Sequence, residues 1–562
     1  MTRASMFLAA AVLAFTPVDA GSVRARDPVL DTLGEWTRIT IEDLRLEGAP
    51  APHRVVISVA DVHSYSARAR FGSLIFERPA LQRQGRVEVV VGSDDLDSSR
   101  FSDPRQSRWA QQNSNPQQRL TLPIDDGILA LRRNLWFATD GSYKHAVQRW
   151  QAKVAARESL GGNDQPPDWS SAEPVEVVDT TPIAEIDDEA LRQIAVEASA
   201  ALRDIEGLDQ GELNVNGVAY RYYSVTSEGT RLMQPETYVV VHAMARALRP
   251  SGVRLHDEIH WVRRSVSGLP SRGVIVAAVR AMGESVAARL KAETVDYYEG
   301  PVVFENRAAA EFFRYLIPNE IIGTPPIPEA GRSFQRQTRS GPRIGRHLLR
   351  DGWTVVDDPS KAPEHLAGGY VYDREGVKGQ RVVLVEDGYL RDFLTSRIPR
   401  SDGGTSNGHA RGGVTQSWVA RPSVWHVEAP ENLSDRAFWR ATNEARDQAR
   451  QDRVLVVRRL RRGRVGALPT PTLAVWRFAD GSETPVDSLE FQGVDRRTLR
   501  SVIAAGGGML VLPYVAAWMP DQFPASDRGL PTIVSAPRRL LVDDLELVFP
   551  GPSEQPYAYP SP

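Results

Sequence analysis

Apolar residues recur first at strand spacing and then at helical spacing near the start of the chain. Residues 54–92 contain runs rich in β-branched and aromatic residues, bounded by Gly and Pro, which predicts the beginning of a twisted sheet. Residues 138–159 carry apolar positions at helical spacing, with Asp140 as the predicted N-cap. The polar, Pro-containing stretch 161–174 is predicted to be a surface loop.

Two predicted helices, the first of them amphipathic, flank a group of alternating strands in the next part of the chain. Residues 215–248 predict two or three strands around a turn at Glu228–Gly229, and 271–292 predicts the second helix. Helices packed beside strands in this order predict an α+β layer. The first helix, within 186–205, has one apolar face made of Leu191, Ile194, Ala198, Leu202 and Ile205.

The pattern changes beyond Pro301. Short strands punctuated by Gly and Pro fill most of the remaining chain, with one clear helix over 433–452, which predicts a β-rich domain built as a sandwich or open barrel. We therefore expect an α+β fold with an N-terminal α+β domain, 21–299, and a β-rich C-terminal domain, 300–550. Residues 551–562 have the composition of a disordered tail.

The first twenty residues predict a secretory signal peptide. Arg3 precedes an apolar run that ends in the small-residue pattern Val18-Asp19-Ala20. That run is shorter than the ~20 residues that a spanning helix needs, and no later stretch qualifies as a transmembrane segment. We expect an exported protein, periplasmic or extracellular, whose mature chain begins at Gly21.

Composition narrows the possible classes of site. Hydrophobic residues at 41% and charged residues at 25% are ordinary for a globular protein. The net charge of −3 does not indicate a nucleic-acid-binding protein. The basic stretch 458–464 is predicted to be a solvated hairpin turn. The chain has no cysteine, which excludes disulfides, thiolate metal ligands, a cysteine nucleophile and a lipoprotein anchor.

One pair of histidines has the spacing of metal-binding histidines on a helix. His256 and His260 are four residues apart with Glu258 between them, and on a helix both rings would point to one side. The surrounding sequence instead favours an extended segment, in which the two residues share a face but stand ~13 Å apart. The chain also lacks a Gly-x-Ser-x-Gly elbow between a strand and a helix, so a serine hydrolase is not indicated.

Four short motifs in the second half occur in a characteristic order. They are Asp357-Asp358-Pro359, Asp373-Arg374-Glu375-Gly376, Asp387-Gly388, and Asn407-Gly408-His409-Ala410-Arg411. Together they resemble the TldD/PmbA (TldD/TldE) metallopeptidase family, in which an Asp-Asp-Pro turn precedes an Asp-x-Glu-Gly element, a strand ending in Gly, and a Gly-rich loop.

Further stretches extend the resemblance over most of residues 55–550. Residues 300–313 look like the entry to the family's metal-site helix, 227–230 like a turn in its first domain, and 535–549 like its closing strands. No single motif is specific to this family, but the order and spacing of the motifs taken together are specific to it.

The resemblance implies a two-domain chain that forms a dimer around an enclosed chamber. The catalytic family member is a zinc peptidase whose helix carries His-Glu-x-x-x-His, completed by a further ligand that is usually Cys, and the TldE or PmbA member lacks those ligands. In residues 308–323 the expected histidine positions hold residues such as Phe313, Arg314 and Leu316. The resemblance therefore implies a non-catalytic or divergent exported branch without a metal or other cofactor.

The Gly-rich loop and the Asp-x-Glu-Gly element supply the candidate binding residues. Loops on rigid scaffolds often carry function, and His409 and Arg411 are the best candidates for ligand contact. The alternative is a purely structural role, in which the Asp-Asp-Pro stretch is a turn and the glycines only supply positive φ. The predicted substrate-binding residues are Asn407, Gly408, His409, Arg411, Asp373 and Glu375.

The sequence is compatible with three functions. The first is a non-catalytic subunit of a peptidase that binds a peptide or unfolded polypeptide and forms a homodimer, or a heterodimer with a chain bearing His-Glu-x-x-x-His. The second is an active metallopeptidase with zinc in a rebuilt site. The third is a structural or carbohydrate-facing envelope protein that uses the scaffold only. A rebuilt site would draw on His256, His260, His347, His365 or His409.

Overall fold

The computed structural model describes both predicted halves of the chain. The predicted signal peptide, 1–20, and the predicted tail, 551–562, lie outside the described residues. Within the described part, no helix is both long and apolar enough to cross a membrane. The described residues are 27–101, 120–125, 127–159, 166–293, 295–325, 343–400, 403–415, 418–486, 489–516 and 529–549.

The first half is organised by a seven-stranded sheet. Its longest part is the antiparallel hairpin of β1 and β2, and the strand order is β3-β2-β1-β5-β6, with β4 and β7 both paired to β6. The predicted turn at Glu228–Gly229 joins β5 to β6. The strands are β1 (Pro52–Arg70), β2 (Ser73–Val91), β3 (Leu120–Leu122), β4 (Glu176–Val178), β5 (Gln210–Thr226), β6 (Arg231–Leu248) and β7 (Arg254–Arg263).

Helices cover one face of this sheet. Side chains alternate between faces along a strand, and odd-numbered residues of β1 such as Val55 and Tyr65 lie in the apolar clusters under the helices. The predicted apolar face of the 186–205 helix is confirmed, because Leu191, Ile194 and Ala198 are buried. The helices of this half are α1 (Pro28–Asp43), α2 (Ile128–Ser159), α3 (Asp188–Ala200) and α4 (Arg272–Arg289).

The predicted start of α2 at Asp140 is wrong. The helix begins at Ile128, and Asp140 lies inside it, paired with Lys144 at 2.8 Å between Oδ2 and Nζ. The reason is that Leu131 and Leu135 continue the helical spacing of apolar positions toward the N-terminus, and both are buried against the sheet. Apolar burial therefore extends the helix past a residue with good capping chemistry.

The second half is β-rich and built on an eleven-stranded sheet. Its order is β11-β10-β9-β14-β20-β8-β15-β16-β17, while β18 and β19 also pair with β20; β12 and β13 form a separate pair. The strands are β8 (Tyr297–Glu305), β9 (Thr354–Asp357), β10 (Val382–Glu386), β11 (Tyr389–Leu390), β12 (Ala410–Arg411), β13 (Val419–Ala420), β14 (Val424–Glu428), β15 (Arg453–Leu460), β16 (Pro471–Phe478), β17 (Glu483–Pro485), β18 (Glu490–Gln492), β19 (Val502–Ala516) and β20 (Leu530–Val548).

Among the described residues, three α-helices accompany the second sheet. The first is fully embedded, since residues 308–316 are all buried, and Pro318 begins a new helical turn directly after it. The helices are α5 (Arg307–Leu316), α6 (Pro318–Ile321) and α7 (Asp435–Gln448).

The two halves meet across the face of the first sheet that the helices leave open. Tyr222 and Val240 on that face share an apolar cluster with Ala410, Trp418 and Val515 of the second half. The predicted α+β class, with an N-terminal α+β region followed by a β-rich region, is confirmed. The bounds 21–299 and 300–550 stay a prediction.

Candidate functional site

Helix α5 carries a charged face in the place where the resemblance puts a metal-site helix. Arg307, Glu311 and Arg314 are spaced so that they share one side of the helix. Glu311 accepts a hydrogen bond from Arg307 Nε at 2.7 Å and from the Leu460 backbone at 3.3 Å, and Arg314 Nη1 is 3.7 Å from the same carboxylate. One carboxylate therefore serves two guanidinium groups.

Arg314 is buried yet remains a cation. Its guanidinium lies 4.3 Å from the ring centre of Tyr514 and 5.0 Å from that of Tyr315. Burial acts to lower the pKa of Arg314, but Tyr315 and Glu311 outweigh it, and the net shift is upward. Stacking on aromatic faces and the ion pair replace the water that the cation has lost.

The histidine pair lies on strand β7, beside this helix. The extended conformation predicted for His256 and His260 is confirmed. Arg307 Nη2 lies 2.5 Å from His260 Nδ1, and burial, followed by Arg307 and Arg314, lowers the pKa of His260 well below its usual value. Burial also lowers the pKa of His256 to about 4, so both imidazoles are neutral at physiological pH.

These residues do not fit a zinc ion. A zinc peptidase site needs three protein ligands around a position open to water, whereas α5 offers one carboxylate already held by two cations. A dication beside Arg307 and Arg314 would also be repelled. Among the described residues, no three His, Asp or Glu side chains gather in a way that could hold a metal ion.

The Asp-Asp-Pro turn and the Gly-rich loop meet in one buried hydrogen-bonded group. His409 Nε2 is 3.3 Å from Asp357 Oδ1, and His409 Nδ1 is 3.0 Å from Asn407 Oδ1. Asp357 also accepts from the Ser423 backbone at 2.8 Å. Burial would raise the pKa of Asp357, but the hydrogen bonds from His409 and Ser423 outweigh it and lower the pKa.

The Asp-x-Glu-Gly element forms a second buried group next to the first. Asp373 accepts backbone hydrogen bonds from Glu375, Val377 and Ala410, each at 2.9 Å. Burial raises the pKa of Asp373 to about 6. Burial, and then the charge of Asp373, raises the pKa of Glu375 to about 8. At neutral pH the pair therefore carries about one negative charge, mainly on Asp373, while Glu375 is mainly protonated.

Arg397 connects this group to the first half of the chain. Its backbone N–H donates to Glu375 at 2.7 Å, and its guanidinium donates to both carboxylate oxygens of Glu228 in the β5–β6 turn. Trp169 is sandwiched between Arg397 and Arg54, at 4.6 and 3.9 Å from its ring centre. The described part of the predicted surface loop 161–174 therefore contacts the second half of the chain, because Trp169 lies beside Arg397 and the Ser170 backbone N–H donates to the Arg397 carbonyl.

Arg411 and the loop glycine have clear structural partners. Arg411 is buried and donates to the carbonyls of Pro422 and Pro531. Gly408 has φ +76°, and a Cβ there would lie 2.2 Å from the carbonyl oxygen of Lys378. Asn407 Nδ2 donates to Phe393 O at 2.7 Å. The loop conformation thus depends on these residues.

The structure therefore brings all six predicted binding residues together, but in the interior. Asp373, Glu375, His409 and Arg411 are buried and bonded to protein groups; their role as substrate-binding residues stays a prediction. His347, which stacks on Tyr389 with ring centres 4.6 Å apart, is another residue named for a rebuilt site.

Sequence reasoning missed Arg374. It donates to Tyr220 Oη at 2.9 Å and to Glu236 Oε2 at 2.6 Å, and its guanidinium lies 4.1 Å from the ring centre of Tyr222. Its position between the two carboxylates of the motif, Asp373 and Glu375, was the available signal.

Residues 298–521 match the model of a protein family described as the PmbA/TldA metallopeptidase C-terminal domain. A metalloprotease of Methanothermobacter thermautotrophicus is 27% identical over 216 residues, 37% of this chain and 44% of the relative. The metalloprotease PmbA of Escherichia coli O157:H7 is 30% identical over 128 residues, 22% of this chain and 26% of the relative. The chain thus aligns with less than half the length of these curated relatives.

Solved structures share the fold over nearly the whole chain. TldE from Thermococcus kodakarensis superposes with a TM-score of 0.59 at 13% identity, covering 93% of this chain and 100% of that one. A proposed modulator of a DNA gyrase from Thermotoga maritima gives a TM-score of 0.57 at 13% identity, covering 88% and 96%. At such identity the likeness establishes the architecture alone.

Proposed function

Because the chain belongs to the TldD/PmbA family, we propose that it is an exported, non-catalytic member that serves as the peptide-binding or assembly subunit of a peptidase. Its ligand would be a peptide or an unfolded polypeptide. Its partner would be a second copy, or a family chain that carries His-Glu-x-x-x-His.

The observation that carries this proposal is the charged face of α5. Arg307, Glu311 and Arg314 share one side of the helix that the resemblance makes the metal-site helix, and Glu311 pairs with both arginines. A guanidinium cannot lose its proton in the accessible pH range, so it cannot act as a metal ligand. The neutral His260 accepts a hydrogen bond from Arg307, which occupies the nitrogen nearest to the helix.

Metal content and proteolysis of the purified chain test the non-catalytic role. We expect well under one zinc per chain by elemental analysis, and no cleavage of an unfolded substrate such as reduced casein, with or without added zinc. A family member that carries His-Glu-x-x-x-His is the positive control in the same assay.

The rebuilt-site alternative gives a different result. It requires about one zinc per chain and proteolysis that a chelator abolishes and that His256→Ala or His260→Ala removes. That combination would replace the present proposal.

Export has a separate test. Arg3, the apolar run and Val18-Asp19-Ala20 support cleavage after Ala20. N-terminal sequencing of protein from the native host should begin at Gly21 in the periplasmic or secreted fraction. Intact Met1 or Thr2 on cytosolic protein would contradict export and leave the non-catalytic role untouched.

A further inference from the structure

Several buried hydrogen-bond donors lie without partners where the first sheet packs on the second half. Among the described residues, Arg86 Nε and Nη1 and Trp418 Nε1 make no hydrogen bond. Tyr222 Oη and Ser224 Oγ have no partner in normal hydrogen-bond geometry, although the Ser58 and Ser224 hydroxyls lie close enough to Tyr222 to oppose the rise in its pKa that burial causes. Arg86 is 3% exposed, Trp418 7%, and Tyr222 and Ser224 are fully buried. Buried polar groups are nearly always hydrogen-bonded, so this group calls for an unseen acceptor.

The strand register brings these side chains together. Arg86 on β2 pairs with Ser58 on β1, which pairs with Ser224 on β5, so the three stand in one row across the sheet. Tyr222 follows two residues away on the same face. Trp418 covers the row, because its ring centre is 5.8 Å from the Arg86 guanidinium carbon and 6.4 Å from the centre of the Tyr222 ring.

The chemistry of the group is that of an oxyanion site. Arg86 Nη2 donates to Glu88, which leaves two guanidinium N–H groups directed elsewhere. Burial lowers the pKa of Arg86 to about 10, so it keeps its charge at neutral pH. One cation, an indole N–H and two hydroxyls are all able to donate, and charge-assisted hydrogen bonds to a carboxylate are stronger than those to a neutral acceptor.

The geometry points to a carboxylate-binding site formed by Arg86, Trp418, Tyr222 and Ser224, which takes a terminal or side-chain carboxylate of a bound peptide. This inference deepens the proposed peptide-binding role and rests on it. A singly charged group suits the site better than a dianion, because Glu88 already neutralises part of the charge of Arg86. On the same face of the sheet, Glu236 keeps 28% of its side chain exposed, so solvent reaches this junction.

Calorimetric titration of the full chain with three model peptides tests the site. The probes are acetyl-pentaalanine with a free C-terminal carboxylate, its C-terminal amide, and the amide of acetyl-Ala-Ala-Asp-Ala-Ala. We expect the amide of pentaalanine to bind at least about ten-fold more weakly than one of the two carboxylate peptides. Which of those two binds tells whether the terminal or the side-chain carboxylate is the ligand.

Trp418→Phe removes one donor and keeps the ring, so it preserves the packing better than a change at Arg86. It should weaken the preferred carboxylate peptide about ten-fold and leave the amide unaffected. Trp150→Phe is the matched control, since its indole N–H is also without a hydrogen bond but lies on α2; its affinity should equal that of the wild type.

Equal binding of the acid and amide peptides would overturn the carboxylate site and leave peptide binding standing. Absence of binding by every probe, or an unchanged affinity in Trp418→Phe, would overturn it as well. Neither result bears on the zinc and proteolysis measurements, which test the non-catalytic role independently.

Discussion

Glu311 holds the charge balance of the α5 face, because it is the carboxylate that Arg307 and Arg314 share. Removing one member of a buried ion pair leaves an uncompensated charge, which costs more than the pair contributes. We therefore expect Glu311→Gln to lower the free energy of unfolding by about 3 kcal/mol, measured by urea denaturation.

Helix α4 offers the matched control. Arg280 and Glu284 form the same four-residue ion pair at 3.6 Å, but both side chains are about half exposed. Glu284→Gln should change stability by less than about 0.5 kcal/mol. If both variants lose a similar amount of unfolding free energy, burial does not increase the contribution of the α5 ion pairs to stability.

Glu375 gives the second prediction at this scale. Its pKa of about 8 lies above the value of an unfolded carboxyl, so the folded state binds the proton more tightly. The resulting stabilisation is complete below about pH 4.5 and is lost as the pH rises through 8. Glu375→Gln, which mimics the protonated form, should remove this loss.

Thermal unfolding at pH 5 and pH 8 measures the effect. From pH 5 to pH 8, the free energy of unfolding of the wild type should fall relative to that of the variant by on the order of 1–3 kcal/mol. Parallel pH profiles for the two proteins would mean that Glu375 is ionised in the fold across the range.

At the scale of elements, the Gly-rich loop is held by close backbone approach. Gly408 and Gly403 both have positive φ, +76° and +84°, but a Cβ on Gly403 meets nothing within 4 Å, whereas one on Gly408 meets the Lys378 carbonyl. Gly403→Ala should cost roughly 1–2 kcal/mol through backbone strain alone. Gly408→Ala should cost a further ~1–3 kcal/mol, and equal denaturation midpoints would contradict the close-packing interpretation.

Elements with a strong local period were predictable from the sequence. Strand β7 and the apolar face of α3 follow from the spacing of their residues, and α2 was misjudged only at its start, where Leu131 mattered more than Asp140. The motif residues Asp373 and His409 were also found, but their burial was not, because local pattern does not tell which side of a loop the rest of the chain covers.

The carboxylate site had no sequence signal. Arg86 and Trp418 come from opposite halves of the chain and meet only when the first sheet packs on the second half. Each residue is unremarkable in its own segment. Only their juxtaposition places the unpartnered Arg86 Nε and Nη1 next to the unpartnered Trp418 Nε1.

At the scale of the whole molecule, we predict association with a second chain. The family scaffold extends through the β-rich half, and a dimer surface depends on sheets and loops rather than on zinc. Size-exclusion chromatography with light scattering should give a mass above the ~60 kDa expected for one mature chain, alone or mixed with a sibling that carries His-Glu-x-x-x-His. A clean monomer in both samples would contradict it.

Strand β20 also sets the order in which the molecule can form. It pairs with β14, β8, β18 and β19, so the centre of the second sheet comes from residues 530–548, which follow every other described strand of that sheet along the chain. Pairing with β8 closes a loop of more than 200 residues, and such non-local contacts form slowly. During synthesis the β-rich half therefore lacks its central strand until residues 530–548 have been made, and the strands that flank β20 cannot pair with it before then.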